Sequence, residues 1–147
     1  MQLDEFNTKS VHMTRVLIVD TYAPSADIDR IMEHVCKVDP LAQGLKYDSN
    51  AFQSADGVER YRPRQGAAAG PEENVRMRPG VVRISFELPD DQDVLARVVE
   101  TIFQVHCYQE PVIRVQHTLS SRSRGLDDRD NPHRWWNTSG DWKKDVK

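Results

Sequence analysis

The chain has 147 residues, of which 38% are hydrophobic and 29% are charged, and its formal net charge at pH 7 is -3. This length suits one domain with extensions, and the weak negative charge provides no field that would attract nucleic acid or an anionic membrane. No apolar run approaches the ~20 residues of a membrane helix, and residues 1–12 lack the apolar middle of a signal peptide. We therefore expect a cytoplasmic protein and expect neither a membrane nor nucleic acid as its partner.

The first third of the chain predicts a strand, a helix and a weaker strand. Residues 15–22, RVLIVDTY, form an apolar run rich in β-branched residues, which is typical of a central strand. Ser25 is a candidate N-cap for a helix that ends before Pro40. The apolar positions of this helix recur at helical spacing, at Ile28, Ile31, Met32 and Val35. Residues 47–54, YDSNAFQS, predict the weaker strand.

The middle of the chain changes in composition and then returns to a strand pattern. Residues 56–80 are rich in glycine, proline and arginine, which indicates a long loop or an irregular hairpin. Residues 81–88, VVRISFEL, alternate between apolar and polar side chains. This alternation predicts a half-buried strand whose inward side chains are Val82, Ile84, Phe86 and Leu88.

A second helix and a last strand complete the pattern. Pro89 and Asp90 introduce the helix, whose apolar stripe consists of Val94, Leu95, Val98, Val99, Ile102 and Phe103. Residues 112–119, VIRVQHTL, predict a strand whose inward side chains are Ile113, Val115, His117 and Leu119. His117 is therefore expected to be a hydrogen-bonded core histidine.

The order βαββαβ, with two amphipathic helices for one face of a single sheet, predicts an α+β sandwich of ferredoxin-like type. We expect residues 1–13 to be an N-terminal extension, residues 14–119 the folded domain and residues 120–147 a C-terminal tail. Because the two helices run antiparallel in this topology, Cys36 and Cys107 fall at opposite ends of the helical layer. We therefore predict no disulfide bond between them.

Two stretches of the chain resemble a known family. Residues 106–113, HCYQEPVI, resemble the His-Pro-Tyr-Glu-Glu-Pro signature in the small inserted domain of Nif-three-like proteins, and divalent-cation tolerance proteins have a related segment. Upstream, a second run resembles the Nif-three-like pattern in its aromatic, proline and glycine positions, which are held here by Tyr47, Phe52, Tyr61, Pro63 and Gly66.

The resemblance covers roughly residues 15–119 and implies the PII-like variant of the ferredoxin fold. It also implies a homo-oligomer, typically a trimer, with ligand sites in clefts between subunits. The chain departs from the signature at Cys107, which replaces a proline, and at Gln109, which replaces a glutamate. The metal-binding domains that flank the insert in full-length Nif-three-like proteins are not covered, so the resemblance implies a fold and an assembly but no reaction.

The arginine-rich segment suggests an anion site. Arg60, Arg62 and Arg64 alternate, so an extended backbone would direct three guanidinium groups to one side, where they suit phosphate or carboxylate. Glu59, Glu72 and Glu73 lie in the same segment, so a solvated loop whose charges pair with one another is the alternative.

The cluster that follows the second helix has three interpretations. His106, Tyr108 and Glu110 are candidate ligand contacts at a subunit seam. His106, Cys107 and Glu110 have the donor types of a metal site, although consecutive residues do not easily face one ion. The third interpretation is structural, with His106 satisfying helix-end carbonyls, Tyr108 packed beneath the turn and Pro111 fixing an extended entry into the last strand.

The C-terminal tail is polar and yet carries all three tryptophans of the chain, Trp135, Trp136 and Trp142. Large indoles commonly anchor interfaces, so we expect the tail to dock on a neighbouring subunit or on its own sheet edge. A cation site formed by the acidic residues 127–130 with His133 is the alternative.

These observations favour a ligand-binding or regulatory module that forms a homo-oligomer, favouring a trimer, and holds a small anion, a nucleotide or a metal ion at subunit clefts. A small hydrolase that uses His106, Tyr108 and Glu110, with Glu110 as the base, is the alternative from another class. A structural protein that acts through its tryptophan-bearing tail is the third. No cofactor can be assigned from the sequence.

Overall fold

A computed structural model describes residues 3–137, which form one antiparallel sheet and two helices. The strands in these residues are β1 (Phe6–Asn7), β2 (Val11–Pro24), β3 (Phe52–Gln53), β4 (Gly57–Tyr61), β5 (Arg76–Pro89) and β6 (Ile113–Ser123). The helices are α1 (Ile28–Val38) and α2 (Gln92–Val105), and short 3₁₀ turns occur at Ser25–Asp27 and Trp135–Asn137. No helix in this part of the chain is long and apolar enough to cross a membrane.

The strand order confirms the predicted topology. β2 pairs with β6 on one side and with β5 on the other, and β5 in turn pairs with β3 and β4. All of these pairings are antiparallel. When β3 and β4 are counted together as the second strand of the βαββαβ order, the sheet has the arrangement 4-1-3-2 of a ferredoxin-like sandwich.

Both helices cover the same face of the sheet, as the two apolar stripes predict. The register places Leu17 opposite Leu88 and Val19 opposite Phe86, so these side chains share that face. They join one buried cluster with residues of both helices, including Ile28, Ile31, Val35, Val98 and Ile102. Burying this common stripe is the main term that holds the two layers together.

Several elements differ in length from the predictions. β2 begins at Val11 and β6 continues to Ser123, and these two residues pair with each other. The serines at 120–123 therefore belong to a strand. Residues 56–80 form an irregular hairpin, because β4 and the start of β5 both lie within them. Ser25 starts a 3₁₀ turn, and no side-chain cap precedes α1.

The prediction that His117 is a core histidine is wrong. His117 pairs with Leu17, so it lies on the helix side of the sheet, but it belongs to the outer strand β6. The buried cluster draws on β2 and β5, and β6 contributes only the partly buried Ile113 to it among the described residues. The side chain of His117 is 72% exposed, and its Nε2 lies 3.2 Å from Asp90 Oδ1.

The two cysteines are free thiols. Cys36 lies in the last turn of α1, whereas Cys107 lies beside Asp27, immediately before that helix begins. The two thiols therefore lie at opposite ends of the helical layer, as the antiparallel helix arrangement predicts.

Candidate functional site

A cleft of about 760 Å³ lies where the β4–β5 hairpin meets the turn after α2. It is lined by residues of β4, of the 62–69 loop, of the start of β5 and of the 107–112 segment. Five of the six predicted ligand contacts line it, namely Arg60, Arg62, Arg64, Tyr108 and Glu110. The fold thus brings together two sequence segments that are more than forty residues apart.

The sixth predicted residue, His106, lies behind the cleft. It is 9% exposed and forms the C-cap of α2, where its backbone N–H donates to Ile102 O at 2.9 Å. Its Nδ1 accepts a hydrogen bond from the Tyr108 N–H at 3.0 Å, so the proton is assigned to Nε2, which donates to Tyr22 O at 2.7 Å. Both ring nitrogens are therefore engaged in joining β2 to the turn that carries Tyr108.

Tyr108 connects this turn to β4. Its hydroxyl donates to Glu59 Oε1 at 2.6 Å. Burial, followed by the hydrogen bond to the Glu59 carboxylate, raises the pKa of Tyr108 to about 12. The phenol is thus a neutral hydrogen-bond donor at physiological pH, and it fixes the position of the turn relative to the hairpin.

Arg78 is a residue of the cleft that the sequence interpretation did not select. Its Cζ lies 4.6 Å from the ring centroid of Tyr108 and 5.3 Å from that of Tyr61, and its Nη2 donates to Tyr61 Oη at 3.1 Å. Hydrogen bonding with Tyr108 and then Tyr61 raises the pKa of Arg78. The guanidinium is held against both rings, so little orientational freedom remains for a ligand to remove. Its spacing of two from Arg76 is the strand signal that could have identified it.

Gln109 attaches the glycine-rich loop to the turn after α2. Its Oε1 accepts from the Ala68 N–H at 2.9 Å, and its Nε2 donates to Gly66 O at 3.3 Å. A glutamate, which the related signature has at this position, could make the first contact but could not donate the second. Gly66 itself has φ of 95°, a conformation that favours glycine.

Positively charged side chains outnumber negatively charged ones in the lining of the cleft. Five arginines and two glutamates line it: Arg60, Arg62, Arg64, Arg76, Arg78, Glu59 and Glu110. Arg76 Nε is paired with Glu72 Oε2 at 2.7 Å, and Arg60 Nη1 contacts Met77 Sδ at 3.2 Å. Within residues 3–137, neither Arg62 nor Arg64 makes a side-chain hydrogen bond or an ion pair. The self-paired alternative therefore applies to Arg76 but not to these two.

The three donors of the suggested metal site do not converge. The nitrogens of His106 are engaged, and the Cys107 thiol is directed to Asp27. Burial and then the hydrogen bond to Asp27 raise the pKa of Cys107 and keep it protonated. In the part of the chain that the structure describes, no three histidine, cysteine or carboxylate side chains are arranged to hold a metal ion.

The described part of the tail forms a compact turn. The Asn137 amide donates to Asp128 O and Asn131 O, each at 2.8 Å, and the Trp135 and Trp136 rings meet edge to face with centroids 5.1 Å apart. Both indoles are about half exposed. Trp142 lies outside the described residues.

Two of the three acidic residues of the suggested cation site in the tail, Asp127 and Asp128, are paired with arginines. The Arg129 side chain lies 2.6 Å from Asp127 Oδ2, and Arg134 Nε lies 2.8 Å from Asp128 Oδ2. These pairs use two of the carboxylates that a cation would require.

No protein-family model matches the chain, and no curated protein matches it. Its structure is similar to that of a Bacillus cereus protein related to NIF3, with a TM-score of 0.60 and 16% identity over 75% of this chain and 27% of that one. The divalent ion tolerance protein CutA1 from Ehrlichia chaffeensis gives a TM-score of 0.52 and 15% identity over 78% of this chain and 87% of that one. CutA from Xylella fastidiosa gives a TM-score of 0.51 and 13% identity over 70% of this chain and 83% of that one.

These similarities confirm the fold that the two sequence stretches imply. The chain has a small ferredoxin-like domain of PII-like type, similar to CutA1 and to a part of the protein related to NIF3. At these identities the likeness concerns the fold, so the use of the cleft has to be argued from its own residues.

Proposed function

We propose that this domain is a regulatory or binding module that holds a small anion, such as a nucleotide, in the cleft between the hairpin and the turn after α2. The observation that carries the proposal is the pair of unpaired guanidinium groups, Arg62 and Arg64, beside the preoriented Arg78. Guanidinium forks match the oxygens of phosphate and carboxylate, and two such groups without internal partners leave the cleft with an excess of positive charge.

The glycine-rich loop allows a ligand to come close to its backbone. Gly66 and Gly70 both have positive φ, and no protein atom lies within 4 Å of the place where a Cβ would be. Hydrogen bonds from the Ala67 N–H to Arg64 O and from the Gly70 N–H to Ala67 O hold this segment, of which Gly66 and the alanines 67–69 line the cleft with no side chain larger than a methyl group. A ligand can therefore approach this side of the cleft closely.

We do not assign a hydrolytic reaction to His106, Tyr108 and Glu110. The first has both nitrogens engaged away from the cleft, and the second keeps its proton to about pH 12. A residue that moves protons near neutral pH needs a pKa near the working pH and access to the substrate.

We further propose a cytoplasmic homo-oligomer, favouring a trimer, in which the cleft lies at a seam between copies. The sheet face opposite the helices supports assembly, because it carries a partly exposed Ile18 and an exposed Phe52, which lie outside the concavities of this surface. Trp135 and Trp136 are proposed to contribute to the same assembly. Native mass spectrometry of the wild type and of a chain ending at Arg124 tests this, and an unchanged subunit number in the shorter chain would contradict the role of the tail.

The ligand proposal is tested by thermal shift and calorimetry with AMP, ADP, ATP and inorganic phosphate. A ligand that binds the folded state raises the melting temperature according to RT ln(1 + [L]/Kd). We expect the variant Arg62→Gln with Arg64→Gln to weaken binding by about tenfold or more. The variant Arg62→Lys with Arg64→Lys retains the charge without the guanidinium fork. Its affinity is expected to lie between that of the wild type and that of the double glutamine variant.

Arg97→Gln, on the exposed side of α2, is the matched control and should bind as the wild type does. Absence of a shift with every member of the panel, or equal affinity in the wild type and the double glutamine variant, would overturn the proposal.

A further inference from the structure

The sheet face opposite the helices carries a second concavity, of about 410 Å³. Three arginines and an apolar floor line it, and the residues that matter are Arg60, Arg83, Arg114, Tyr22, Val81 and Val112. Arg60 also lines the cleft described above, whereas Arg83 and Arg114 do not. The concavity therefore has two arginines of its own.

Strand register brings these arginines to one place. Tyr22 of β2 stands opposite Arg83 of β5, and Asp20 of β2 stands opposite Arg114 of β6. Residues directly opposite, and residues two apart on one strand, share a face. Arg83 and Arg114 therefore flank Tyr22 from its two neighbouring strands.

Arg114 does not pair with the carboxylate that faces it. Its Cζ lies 5.6 Å from the centroid of the Tyr22 ring, at the edge of the concavity. Asp20 Oδ1 is buried and has no hydrogen-bond partner. A guanidinium beside an unpaired carboxylate oxygen ordinarily pairs with it, since such charge-assisted bonds are among the stronger polar contacts. This guanidinium is instead directed over the ring and towards the concavity.

Arginines outnumber carboxylates in the lining of the concavity. Among the described residues that line it, Glu59 is the one carboxylate, and its Oε1 accepts the hydrogen bond from Tyr108. In the part of the chain that the structure describes, neither Arg83 nor Arg114 forms an ion pair with a carboxylate. Three guanidinium groups against one carboxylate leave an excess of positive charge in this apolar-floored hollow.

We infer that this concavity binds a compact dianion with a short apolar portion, either a phosphate monoester or a dicarboxylate. The forks of Arg83 and Arg114 would each take oxygens of the anion, and Val81, Val112 and the Tyr22 ring would receive the apolar portion. The concavity adjoins the cleft of the proposed function and shares Glu59, Arg60 and Val112 with it. Arg83 and Arg114 line only the concavity, so the inference does not depend on the proposed function.

The test uses phenyl phosphate and succinate as probes, titrated into the full chain by calorimetry at constant ionic strength. We expect saturable binding of at least one probe, and its identity distinguishes a phosphate monoester from a dicarboxylate. The variant Arg83→Gln with Arg114→Gln should weaken that binding by about tenfold or more. The variant Arg83→Lys with Arg114→Lys should be intermediate, and circular dichroism checks that each variant is folded.

Arg97→Gln, on the exposed side of α2 and outside both hollows, is the control and should change probe binding by less than about twofold. The variant Arg62→Gln with Arg64→Gln reports binding in the neighbouring cleft, where the proposed function also places an anion. No saturable binding of either probe, or a loss in this variant as large as the loss in the Arg83 and Arg114 variant, would overturn the inference. A loss confined to the Arg62 and Arg64 variant would overturn it too, while supporting the anion site in the cleft.

Native mass spectrometry of the Arg83→Gln and Arg114→Gln variant tests whether the two arginines contact a second copy of the chain instead of a small ligand. If the wild type binds neither probe and this variant has fewer subunits than the wild type, the two arginines face an acidic side chain of a second copy and the small-ligand inference is wrong.

Discussion

The hydroxyl of Tyr108 donates a hydrogen bond of 2.6 Å to the carboxylate of Glu59, which joins the turn after α2 to the β4–β5 hairpin. Tyr108→Phe removes the donor and leaves a partly buried carboxylate without it, so we expect a loss of about 1–2 kcal/mol in the free energy of unfolding. Urea unfolding measures this difference. Tyr47→Phe, at a phenol that is 65% exposed, is the matched control and should change stability by less than about 0.5 kcal/mol.

The same tyrosine predicts a dependence of stability on pH. The pKa of Tyr108 is raised from 10.0 to about 12 in the folded chain, first by burial and then by Glu59. Between these values the unfolded chain loses the phenolic proton while the folded chain keeps it, so the contribution is present below pH 10 and is lost as the pH rises through 12.

This pH dependence can be followed in two ways. The stability difference between the wild type and Tyr108→Phe should shrink over that interval, and the absorbance of tyrosinate should show a late-titrating phenol that the variant lacks. A difference that stays constant from pH 9 to 12 would contradict the assignment.

His106 is predicted to be a structural residue of the site. Because both its ring nitrogens join separate backbone segments in a buried position, His106→Ala should cost about 2–4 kcal/mol of unfolding free energy. His117→Ala removes the same side chain from an exposed surface pair with Asp90 and should cost less than about 1 kcal/mol. Similar costs in the two variants, measured by denaturant unfolding, would show that the buried contacts of His106 contribute little.

Gln109 is predicted to control the order of the glycine-rich loop. Gln109→Ala leaves the Ala68 N–H and Gly66 O without their side-chain partners. We expect faster hydrogen exchange in residues 64–70, with global stability changed by less than about 0.5 kcal/mol, because the loop is exposed and separate from the core. Gln104→Ala, which removes an exposed contact with Glu100 on α2, should leave exchange in this loop unchanged. Unaltered exchange in Gln109→Ala would mean that the turn hydrogen bonds alone hold the loop.

The ferredoxin-like fold could be predicted because its periodicities are clear. The alternation through Val82, Ile84, Phe86 and Leu88 identifies the inward face of β5, and all four side chains are buried. Periodicity identifies a face, however, and does not show how far the opposite layer extends. His117 faces the helix side as predicted but remains exposed, because the outer strand lies beyond the part of the sheet that the helices bury.

The cleft could be predicted only in part. The alternating arginines and the 106–113 signature were recognised separately, whereas their contact depends on the hairpin that follows β4. The sequence pattern does not identify Arg78, because the following Pro79 and Gly80 resemble a loop. In the structure these two residues stand opposite the single Val58 and form a bulge within β5, and Gly80 has φ of 73°. Bulges are one of the few places where a strand accepts proline and glycine, so a strand continues where composition indicates a break.

Two neighbouring apolar residues of α2 provide a test of the core boundary. Ile102 is fully buried, whereas Phe103, which the helical spacing places on the same stripe, is 50% exposed. Ile102→Ala should therefore cost about 2–5 kcal/mol, since it removes buried methyl groups and leaves a cavity. Phe103→Ala removes more atoms but should cost less than about 1 kcal/mol. A larger cost for Phe103→Ala in urea unfolding, independent of protein concentration, would contradict the exposure that the structure gives it. If that larger cost depends on protein concentration, Phe103 contacts a second copy.

Two adjacent aspartates at the start of α2, Asp90 and Asp91, make different contacts. Asp91 is the N-cap, and its Oδ1 accepts from the backbone N–H groups of Asp93 at 2.9 Å and Val94 at 3.2 Å. Asp91→Ala removes both acceptors from the positive end of the helix, so we expect a loss of about 1 kcal/mol in unfolding free energy. Asp90→Ala removes the same group one residue earlier, where it contacts the exposed ring of His117, and should change stability by less than about 0.5 kcal/mol. Because the two variants have the same net charge, a difference between them reports the cap itself. Equal stabilities in urea unfolding at pH 7 would show that water replaces the Asp91 carboxylate at no measurable cost.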